Sequence, residues 1–512
     1  MKFSAKVIAA LSMSLLAGCG EKFLDESPRD QLTTGNFYQN ETDAIQATNA
    51  VYAELSRGGQ YNKALWGIGD IMSDNSNTGG GGGGDGDYAV QLDNFTIPSS
   101  NDLITRLWGG CYVGIGRANL VTDRVPGISN MNPAVKQRCL GEAQFLRAKY
   151  YFDLVRAYGD VPLLTKAPVG PNDALIPRTP AAQVYAQIEK DLQDAFTNLP
   201  DSYSGGDLGR ATRWAARGLL AKVYLTENKM TEAAAAAKSV IEDSPHQLWT
   251  NYGDNFKVTN ENGQESLFEV QYISGRNEFI FDGLGFVGNE FFAPRFQNLV
   301  PQGGYGFNVP EPNFVDGYEN GDRRRDVTIW KPGDAYPAGS SPSVQPPSLA
   351  GSPYGYNCKK WFVGKVNTNI WDSELNFPVL RLAEVYLIAA EATGPTPAGF
   401  RYLNIVRRRA FGENFTANPI YPGHPDSLAV RVQPHDLNPN NTSSAAFPDA
   451  VLRERRYELA FEDDRWFDLK RTNKLITNAH LISKGIKPFH VLLPVPQSER
   501  DANPNLTQNQ GY

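Results

Sequence analysis

The stretch from Thr212 to Pro245, TRWAARGLLAKVYLTENKMTEAAAAAKSVIEDSP, constrains the fold more than any other part of this 512-residue chain. Two amphipathic segments, each with apolar residues at steps of three and four, meet at the polar turn TENK. Pro245 ends the unit, because a proline cannot continue a helix. The pattern predicts two helices packed side by side. Small residues recur where such helices would approach most closely: Ala216, Ala221, Ala233 and Ala237.

Further helix pairs are predicted elsewhere in the chain. A second one spans Val379 to Ala410, and weaker ones lie at Asn132 to Tyr158 and at Pro180 to Leu199. The length and layout of these units match the tetratricopeptide helix pair, whose copies stack so that each buries the apolar face of its neighbour. The sequence therefore predicts a mostly α-helical protein built on a tetratricopeptide-like helix-pair scaffold.

Between the helical units the composition changes. Leu248 to Phe377 and Gly412 to Pro448 are rich in Gly, Pro, Asn and aromatic residues, and the shorter segment Ser73 to Phe95 contains a run of consecutive glycines. Long irregular loops carried on a rigid scaffold are where binding residues usually lie. We therefore expect the scaffold to carry an irregular, loop-rich ligand-binding face.

The N-terminus has the features of an export signal. A short basic region precedes the apolar stretch Val7 to Ala17, which is too short to span a bilayer, and the sequence LAGC follows and ends at Cys19. Small residues directly before a cysteine are typical of the site that the bacterial lipoprotein signal peptidase cleaves. We expect residues 1–18 to be a signal peptide and Cys19 to be lipidated, so that the mature chain is anchored to a membrane.

Charge and cysteine usage exclude several classes of protein. The formal net charge of -7 argues against nucleic-acid binding, which needs a basic excess. After Cys19 the chain has Cys111, Cys139 and Cys358, an odd number that implies no disulfide framework, although one pair could form. The sequence has neither a CxxC nor an HExxH motif. We therefore expect no metal site and no cofactor.

The segment Arg455 to Trp466, RRYELAFEDDRW, concentrates carboxylates, arginines and aromatic rings, as a glycoside-cleaving site would. If Asp449 to Arg471 is one helix, Glu454, Glu458 and Glu462 lie four residues apart on one face. Carboxylates on one face cannot flank a glycosidic bond from opposite sides, and the arginines favour their ionised form, whereas a general acid needs a raised pKa. We therefore predict that this segment belongs to the scaffold.

Several long motifs resemble the SusD/RagB family of outer-membrane lipoproteins of Bacteroidetes. They are RRYELAFEDDRWFDLKRTNK, GEAQFLRAKYYFDLVRAYGDVPLL at Gly141 to Leu164, RLAEVYLIAAEA at Arg381 to Ala392, and the ending LLPVPQSERDANPNLTQNQGY. The leader CGEKFLDESP and the stretch LWGGCYVGIGRANLV, at Leu107 to Val121, are similar as well. These blocks occur in the order expected for the family, so the resemblance covers the whole chain from residue 19.

The resemblance implies a cell-surface binding protein and not an enzyme. Members of this family lie on the outer membrane, each paired with a SusC-like TonB-dependent transporter, and hold an oligosaccharide, or in some branches a peptide, for import. Their fold is almost all α, with four tetratricopeptide-like helix pairs beneath the ligand face. Residues 19–247 would then form an N-terminal helical region and residues 248–512 a C-terminal region with the binding loops and closing helices. We expect the two regions to form one compact unit.

Candidate ligand residues follow from chemistry, because the binding loops are the most variable part of the family. A glycan site needs exposed aromatic rings for the apolar faces of sugars, and polar side chains for their hydroxyl groups. Trp108 and Trp466 lie in motif helices and are expected in the core. The loop regions offer six candidates for contact with the ligand: Trp66, Asp74, Asn75, Tyr305, Phe307 and Trp330.

Two other functions stay open at this point. The same scaffold could hold peptides, in which case fewer exposed rings and more strand edges for backbone pairing are expected. A lipid-anchored glycosidase would need two opposed carboxylates with separated pKa values, and the loops do contain Asp and Glu. The sequence does not determine the glycan, its linkage or the cognate transporter.

Overall fold

The computed structural model describes residues 37–81, 83–275, 280–301, 303–365, 371–415 and 433–512. The helices of this part of the chain are α1 (Glu41–Tyr52), α2 (Ala64–Trp66), α3 (Gly83–Asp93), α4 (Asp102–Arg124), α5 (Pro133–Tyr158), α6 (Ala181–Asn198), α7 (Arg213–Thr226), α8 (Met230–Asp243), α9 (Gly288–Phe291), α10 (Pro312–Val315), α11 (Arg324–Thr328), α12 (Leu382–Thr393), α13 (Pro397–Phe411), α14 (Phe447–Glu458), α15 (Arg465–Arg471), α16 (Ala479–Lys484) and α17 (Gln497–Ala502).

The longer helices form a continuous packed series. Helix α1 lies against α4 and α5, each helix from α4 to α8 packs against the next, and α12 packs against α7 and α8. Helices α13 and α14 then pack against α12 and against each other. Two of the predicted pairs are present, α7 with α8 and α12 with α13, which confirms the mostly helical, tetratricopeptide-like scaffold. The weaker pairs predicted at Asn132 to Tyr158 and at Pro180 to Leu199 are wrong, because each of these segments is a single helix, α5 and α6, and the two helices pack against each other.

Local sequence explains where these helices begin and end. The side chain of Asn101 accepts from the Leu103 amide at 2.9 Å and caps α4, and Thr212 caps α7 by accepting from the Ala215 amide at 3.2 Å. Helix α13 ends at Gly412, whose left-handed backbone (φ 67°) suits glycine. These caps orient the scaffold helices at their first and last turns.

Within the described residues, three two-stranded antiparallel sheets accompany the helices. Strand β1 (Ser76–Gly79) pairs with β3 (Phe307–Pro310), and β2 (Ser266–Val270) pairs with β6 (Phe377–Arg381). The shortest pair is β4 (Ile329–Trp330) with β5 (Asn357–Cys358). Each sheet joins segments distant in the chain, so the sheets fasten the irregular regions to one another. The main hydrophobic core, extending from Ala44 to Leu506, draws on residues on both sides of position 247.

The segment from Asp449 to Arg471 is not one helix, contrary to the prediction. Helix α14 ends at Glu458, and α15 begins at Arg465 after a turn in which Phe461 and Asp463 have left-handed backbones, with φ of 61° and 64°. The turn packs on the π-helical segment Gly67–Ile71 so closely that a Cβ on Gly69 would lie 2.1 Å from the Asp463 carbonyl oxygen. Glu462 therefore does not share a helix face with Glu454 and Glu458.

The predicted scaffold role of these carboxylates is confirmed by their ion pairs. Glu458 is fully buried and pairs with Arg409 at 2.6 Å and Arg381 at 3.0 Å. Burial alone would raise the pKa of Glu458, but Arg409, Arg381 and Arg324 lower it to about 2. A carboxyl group held ionised in this way cannot act as a general acid near neutral pH.

Candidate functional site

Three partly exposed aromatic rings meet among the loops. Trp371 stacks on Phe281, with ring centroids 4.7 Å apart and ring planes 30° from parallel. Tyr305 stacks on the buried Phe291 at 4.9 Å and lies 6.3 Å from Trp371. Each of the three rings keeps part of its surface in solvent, so together they offer adjoining apolar faces. We call Phe281, Tyr305 and Trp371 the aromatic cluster.

Buried hydrogen bonds hold the loops that carry this cluster. Asn62 is fully buried and donates to the Phe281 carbonyl oxygen at 3.3 Å. It makes two further hydrogen bonds to the backbone of the residues that follow Phe281 in the chain. Phe286 and Ser373 exchange two backbone hydrogen bonds, at 2.7 and 3.3 Å, which bring the loop of Trp371 next to that of Phe281. The positions of the rings are thus set by buried polar contacts as well as by stacking.

A fourth ring, Phe296, is connected to the cluster through an arginine. It is 69% exposed and has a left-handed backbone, with φ of 57°, and Trp371 is left-handed too, with φ of 60°. Bulky residues in this conformation are strained, and such strain is concentrated at functional sites. The guanidinium group of Arg295 lies 4.5 Å from the Phe296 ring, donates to the Tyr305 carbonyl oxygen at 2.9 Å and pairs with Asp85.

A charged rim borders the cluster beside Phe281. Lys63 Nζ lies 4.5 Å from the centroid of the Phe281 ring and 4.0 Å from that of Tyr88. Lys63 and Arg106 each pair with Asp102 at 2.9 Å. Partial burial would raise the pKa of Asp102, but these two cations lower it, and burial raises the pKa of Tyr88 to about 12. Lys63 is only 5% exposed, whereas Arg106 and Asp102 are partly exposed, so the rim offers a ligand one guanidinium group and one carboxylate that are paired with each other.

Two of the residues predicted to contact ligand form the layer beneath the cluster. Trp66 is 2% exposed and packs edge-on against Phe292 at 5.4 Å, and Phe307 is 1% exposed and stacks on Phe291 at 5.5 Å. The expectation that both rings are exposed is wrong, because the loops close over them and bury their apolar surface. Tyr305, predicted together with them, does reach the surface.

Trp330 is also buried, but in a different place. It is 1% exposed and forms a small separate core with Leu299, Tyr336 and Phe362. Tyr336 and Phe362 pack edge-on against its ring at 5.6 and 4.6 Å. The expectation of an exposed Trp330 ring is therefore wrong as well, because this ring is the centre of a small apolar cluster.

Asp74 and Asn75 hold the structure together. Arg465 donates to Asp74 Oδ1 at 2.7 Å and to Oδ2 at 3.0 Å, and Arg456 donates to Asn75 Oδ1 at 2.7 Å. Burial alone would raise the pKa of Asp74, but Arg465 and Arg456 hold it well below its usual range. Both side chains are buried. This use of Asp74 and Asn75 contradicts the predicted ligand role, because their oxygens are already engaged by arginines.

The sequence reasoning missed the residues that accompany Tyr305 at the surface. Trp371 had a signal that could have revealed it, because it lies in the polar sequence NTNIWDSE and outside any apolar periodicity. Phe281, Phe296 and Tyr88 had no local signal that separates them from core residues. Trp108 and Trp466 are 2% and 0% exposed, which confirms their prediction as core.

The described part of the chain shows neither a metal centre nor a membrane-spanning helix. Among these residues no group of three or more His, Cys, Asp or Glu side chains is placed to hold a metal ion. None of the described helices is both long enough and apolar enough to cross a bilayer. The free cysteines Cys111, Cys139 and Cys358 are all buried.

Two family models match separate and extensive parts of the chain. Residues 264–512 match the model described as SusD family, and residues 22–225 match the model described as starch-binding associating with outer membrane. The chain belongs to the SusD family. The motifs that suggested this family in the sequence lie in the same matched regions.

Individual SusD-like proteins are similar over nearly the full length. SusD-like protein P25 of Formosa agariphila is 27% identical over 543 residues, covering 96% of each chain. The starch-binding protein SusD of Bacteroides thetaiotaomicron is 24% identical over 594 residues, covering 100% of this chain and 98% of that one. A solved laminarin-binding SusD-like protein has a TM-score of 0.76 and 29% identity, over 93% of this chain and 100% of that one. This SusD-family chain thus shares its fold with a glycan-binding protein.

Proposed function

We propose that this protein is a cell-surface glycan-binding lipoprotein that captures oligosaccharides and delivers them to a partner TonB-dependent outer-membrane transporter. The observation that carries the binding step is the aromatic cluster, in which Phe281, Tyr305 and Trp371 share a partly exposed surface. Sugar rings have flat C–H faces that pack on aromatic rings, and hydroxyl groups that hydrogen-bond to polar side chains. Arg106 and Asp102, the partly exposed members of the rim, supply such polar groups next to the rings.

The chemistry of the site favours a neutral glycan. The cations of the rim, Lys63 and Arg106, are already paired with Asp102, so an anionic sugar would have to compete with that carboxylate. Laminarin is the first ligand to test, because a similar protein of known structure is described as laminarin-binding. Starch is the second, because one family model and one relative are described as starch-binding.

We propose that this site binds glycans and does not cleave them. A cleaving site needs one carboxyl group with a raised pKa opposite a second that stays ionised. One carboxylate beside the rings, Asp102, has a lowered pKa because of Lys63 and Arg106, and another, Asp85, pairs with Arg295. Neither is suited to donate a proton to a leaving group.

The proposed location rests on the N-terminal sequence. Cys19 and the signal peptide, residues 1–18, lie outside the described residues, so the lipid anchor stays a proposal. It is supported by the LAGC sequence and by the family model described as associating with outer membrane. We also propose that residues 19–247 and 248–512 act as one unit, which is supported by the core they share.

The test is calorimetric titration of the purified protein with laminarin, starch and a panel of other neutral glycans. Trp371→Ala should weaken binding of the best ligand by at least about fivefold, since a stacked ring contributes on the order of 1 kcal/mol. The matched control is Val169→Ala, which alters a side chain that is 96% exposed in a loop away from the cluster. It should bind like the parent.

Three results would count against the proposal. One is a parent protein that binds no glycan but binds peptides, which would make it a peptide-binding member of the family. Another is glycan binding that both Trp371→Ala and Tyr305→Ala leave unchanged, which would place the site elsewhere. Hydrolysis products released by the purified protein would contradict the binding-only role.

A further inference from the structure

A second aromatic surface lies on an uncharged part of the loop region. The segment from Ala335 to Cys358, AYPAGSSPSVQPPSLAGSPYGYNC, has no charged residue, although 21% of the chain is charged. Most of it is exposed, yet its polar groups are hydroxyls, amides and backbone. We call this segment the neutral lobe. The segment is bounded by Asp334 and Lys359, but it carries no charge of its own with which to attract an ionic partner, and it suits a neutral one.

Two tyrosine rings project from the neutral lobe. Tyr354 is 58% exposed and Tyr356 is partly exposed. Their ring centroids are 6.3 Å apart and their planes are only 25° from parallel. Single exposed apolar residues are common, but two adjacent rings with nearly parallel planes form an apolar surface that needs an explanation.

The backbone beneath these rings is held rigidly. Gln345 is 1% exposed, donates to the Gly355 carbonyl oxygen at 2.7 Å, and donates to Asn357 Oδ1 at 3.0 Å. Ser352 Oγ donates to the Tyr356 carbonyl oxygen at 2.6 Å. Gly355 has φ of 67°, and a Cβ there would lie 2.4 Å from the Pro346 carbonyl oxygen, so the turn between the two tyrosines requires glycine. The rings are thus placed before any ligand arrives, which lowers the ordering cost of binding.

The neutral lobe touches the region of the aromatic cluster. A Cβ on Gly351 would lie 2.1 Å from the Gly80 carbonyl oxygen, so the two backbones are in direct contact. The Gly81 amide, next in the chain, donates to Asp85 at 2.9 Å, and Asp85 pairs with Arg295, which holds the Tyr305 backbone. Tyr354 is three residues from Gly351, a span of at most about 11 Å. The loops that carry the two aromatic surfaces are therefore both connected to the turn at Gly80 and Gly81.

We propose that Tyr354 and Tyr356 form a second stacking platform, which extends the glycan site so that it holds a longer neutral chain than the aromatic cluster alone. This inference rests on the proposed function. Its ligand class is a neutral oligosaccharide or polysaccharide, because the lobe offers rings and hydroxyls and no charge. The shorter the glycan, the less it gains from the platform.

The experiment compares a polymer with a hexasaccharide of the same linkage, using laminarin with laminarihexaose or the matching pair for the best neutral glycan of the panel. The double variant Tyr354→Ala and Tyr356→Ala should weaken polymer binding by at least about fivefold, and hexasaccharide binding by less than about twofold. Trp371→Ala should weaken both. The double variant Tyr354→Phe and Tyr356→Phe keeps both rings and should bind the polymer like the parent.

The matched control is Val344→Ala, because Val344 is a 43% exposed residue of the same lobe without a ring. It should leave polymer binding unchanged, and all variants should melt like the parent. Polymer affinity that survives loss of both rings overturns the platform, and so does an equal loss for polymer and hexasaccharide. Intact glycan binding with lost co-purification of an outer-membrane protein would make the lobe a protein-docking surface and also overturn the inference. A parent that binds no glycan at all instead refutes the proposed function.

Discussion

Asp74 and Arg465, 391 residues apart in the chain, form a buried ion pair with two hydrogen bonds, at 2.7 and 3.0 Å. Asn478 donates to the same carboxylate at 3.0 Å. The pair ties the segment that leads into β1 to helix α15, and β1 in turn pairs with β3, which begins at Phe307 beneath the aromatic cluster. A contact far from the exposed rings therefore supports the layer on which they rest.

Replacing Asp74 should reduce stability and leave the binding surface intact. Asp74→Asn leaves Arg465 buried without its charge partner, and breaking a buried ion pair costs about 3–5 kcal/mol. We expect a lower melting temperature in thermal denaturation, and an unchanged dissociation constant for the folded fraction in calorimetry. Asp87→Asn, at an exposed carboxylate of α3, is the control and should melt like the parent. An Asp74→Asn protein that melts normally but loses affinity would restore Asp74 as a ligand residue.

A second pair, Asp70 with Asp463, should make stability depend on pH. Burial raises the pKa of Asp70 to about 7, and burial with repulsion from Asp70 and Asp464 raises the pKa of Asp463 well above its usual range. Lys360 partly offsets this effect by lowering the pKa of Asp70, and Lys149 lowers the pKa of Asp463 in the same way. The folded pair keeps protons that the unfolded chain releases above about pH 4. Its stabilising contribution is therefore complete below about pH 4 and is lost as the pH rises through about 7.

The comparison of the parent with Asp463→Asn isolates this effect. Between pH 7 and pH 5 the parent should gain stability relative to the variant by on the order of 1 kcal/mol per pH unit. Burial lowers the pKa of His246 and His490 to about 4, so these two histidines reduce stability as the pH falls below about 6.5. Both the parent and the variant contain them, so their effect cancels in the comparison. Free energies of unfolding from urea titrations at each pH are the measurement. A difference in unfolding free energy between parent and variant that does not change with pH would contradict the raised pKa values of Asp70 and Asp463.

The helical scaffold was predictable because its signals are local. The periodicity and small residues of Thr212 to Pro245 suffice to define α7 and α8, since each helix carries its own apolar face. The break between Glu458 and Arg465 was not predictable in this way. It depends on the close approach of Gly69 to Asp463, which no pattern around either residue reveals.

The exposure of each aromatic ring was the least predictable property of the site. Trp66 and Trp371 both lie in irregular sequence, yet Trp66 is covered by Phe292 and Phe307, and both of these come from far along the chain. Trp371 remains partly exposed because it stacks on the surface ring of Phe281. Burial of a loop residue is decided by long-range packing, whereas sequence chemistry identifies only the type of side chain that a site needs.

Glu462 and Trp466 should behave as structural residues. Glu462 accepts from Arg381 Nε at 2.8 Å and from Lys360 Nζ at 2.6 Å, so Glu462→Gln should lower the melting temperature and keep ligand affinity within about twofold. Trp466 is 0% exposed, and Trp466→Ala should cost about 3–5 kcal/mol. Thermal denaturation checks both. A Glu462→Gln protein with a normal melting temperature and no binding would assign Glu462 to the ligand site.

Cys19 should be the anchor of the mature chain. Cys19→Ala removes the thiol that would carry the lipid, so the variant should be released from the outer membrane or accumulate with its signal peptide uncleaved. Membrane fractionation followed by a carbonate wash, with Cys111→Ala as the control at a buried cysteine, distinguishes the outcomes. A Cys19→Ala protein that resists washing as the parent does would remove the basis of the lipid anchor.

Glycan binding should be moderate in strength and almost independent of salt. A surface protein that hands its ligand to a transporter must also release it, and a few stacking contacts offset by ordering costs correspond to dissociation constants of about micromolar to millimolar. Most of that affinity should reside in Trp371 and Tyr305, since a small number of rings usually dominates a site. A neutral glycan has no charge to screen, so raising the salt concentration should change the affinity by less than about twofold. Calorimetric titrations of the parent, Trp371→Ala and Tyr305→Ala at low and high salt make the measurement. A steep loss of affinity with salt would instead indicate an anionic glycan or a charged peptide held by Arg106 of the rim.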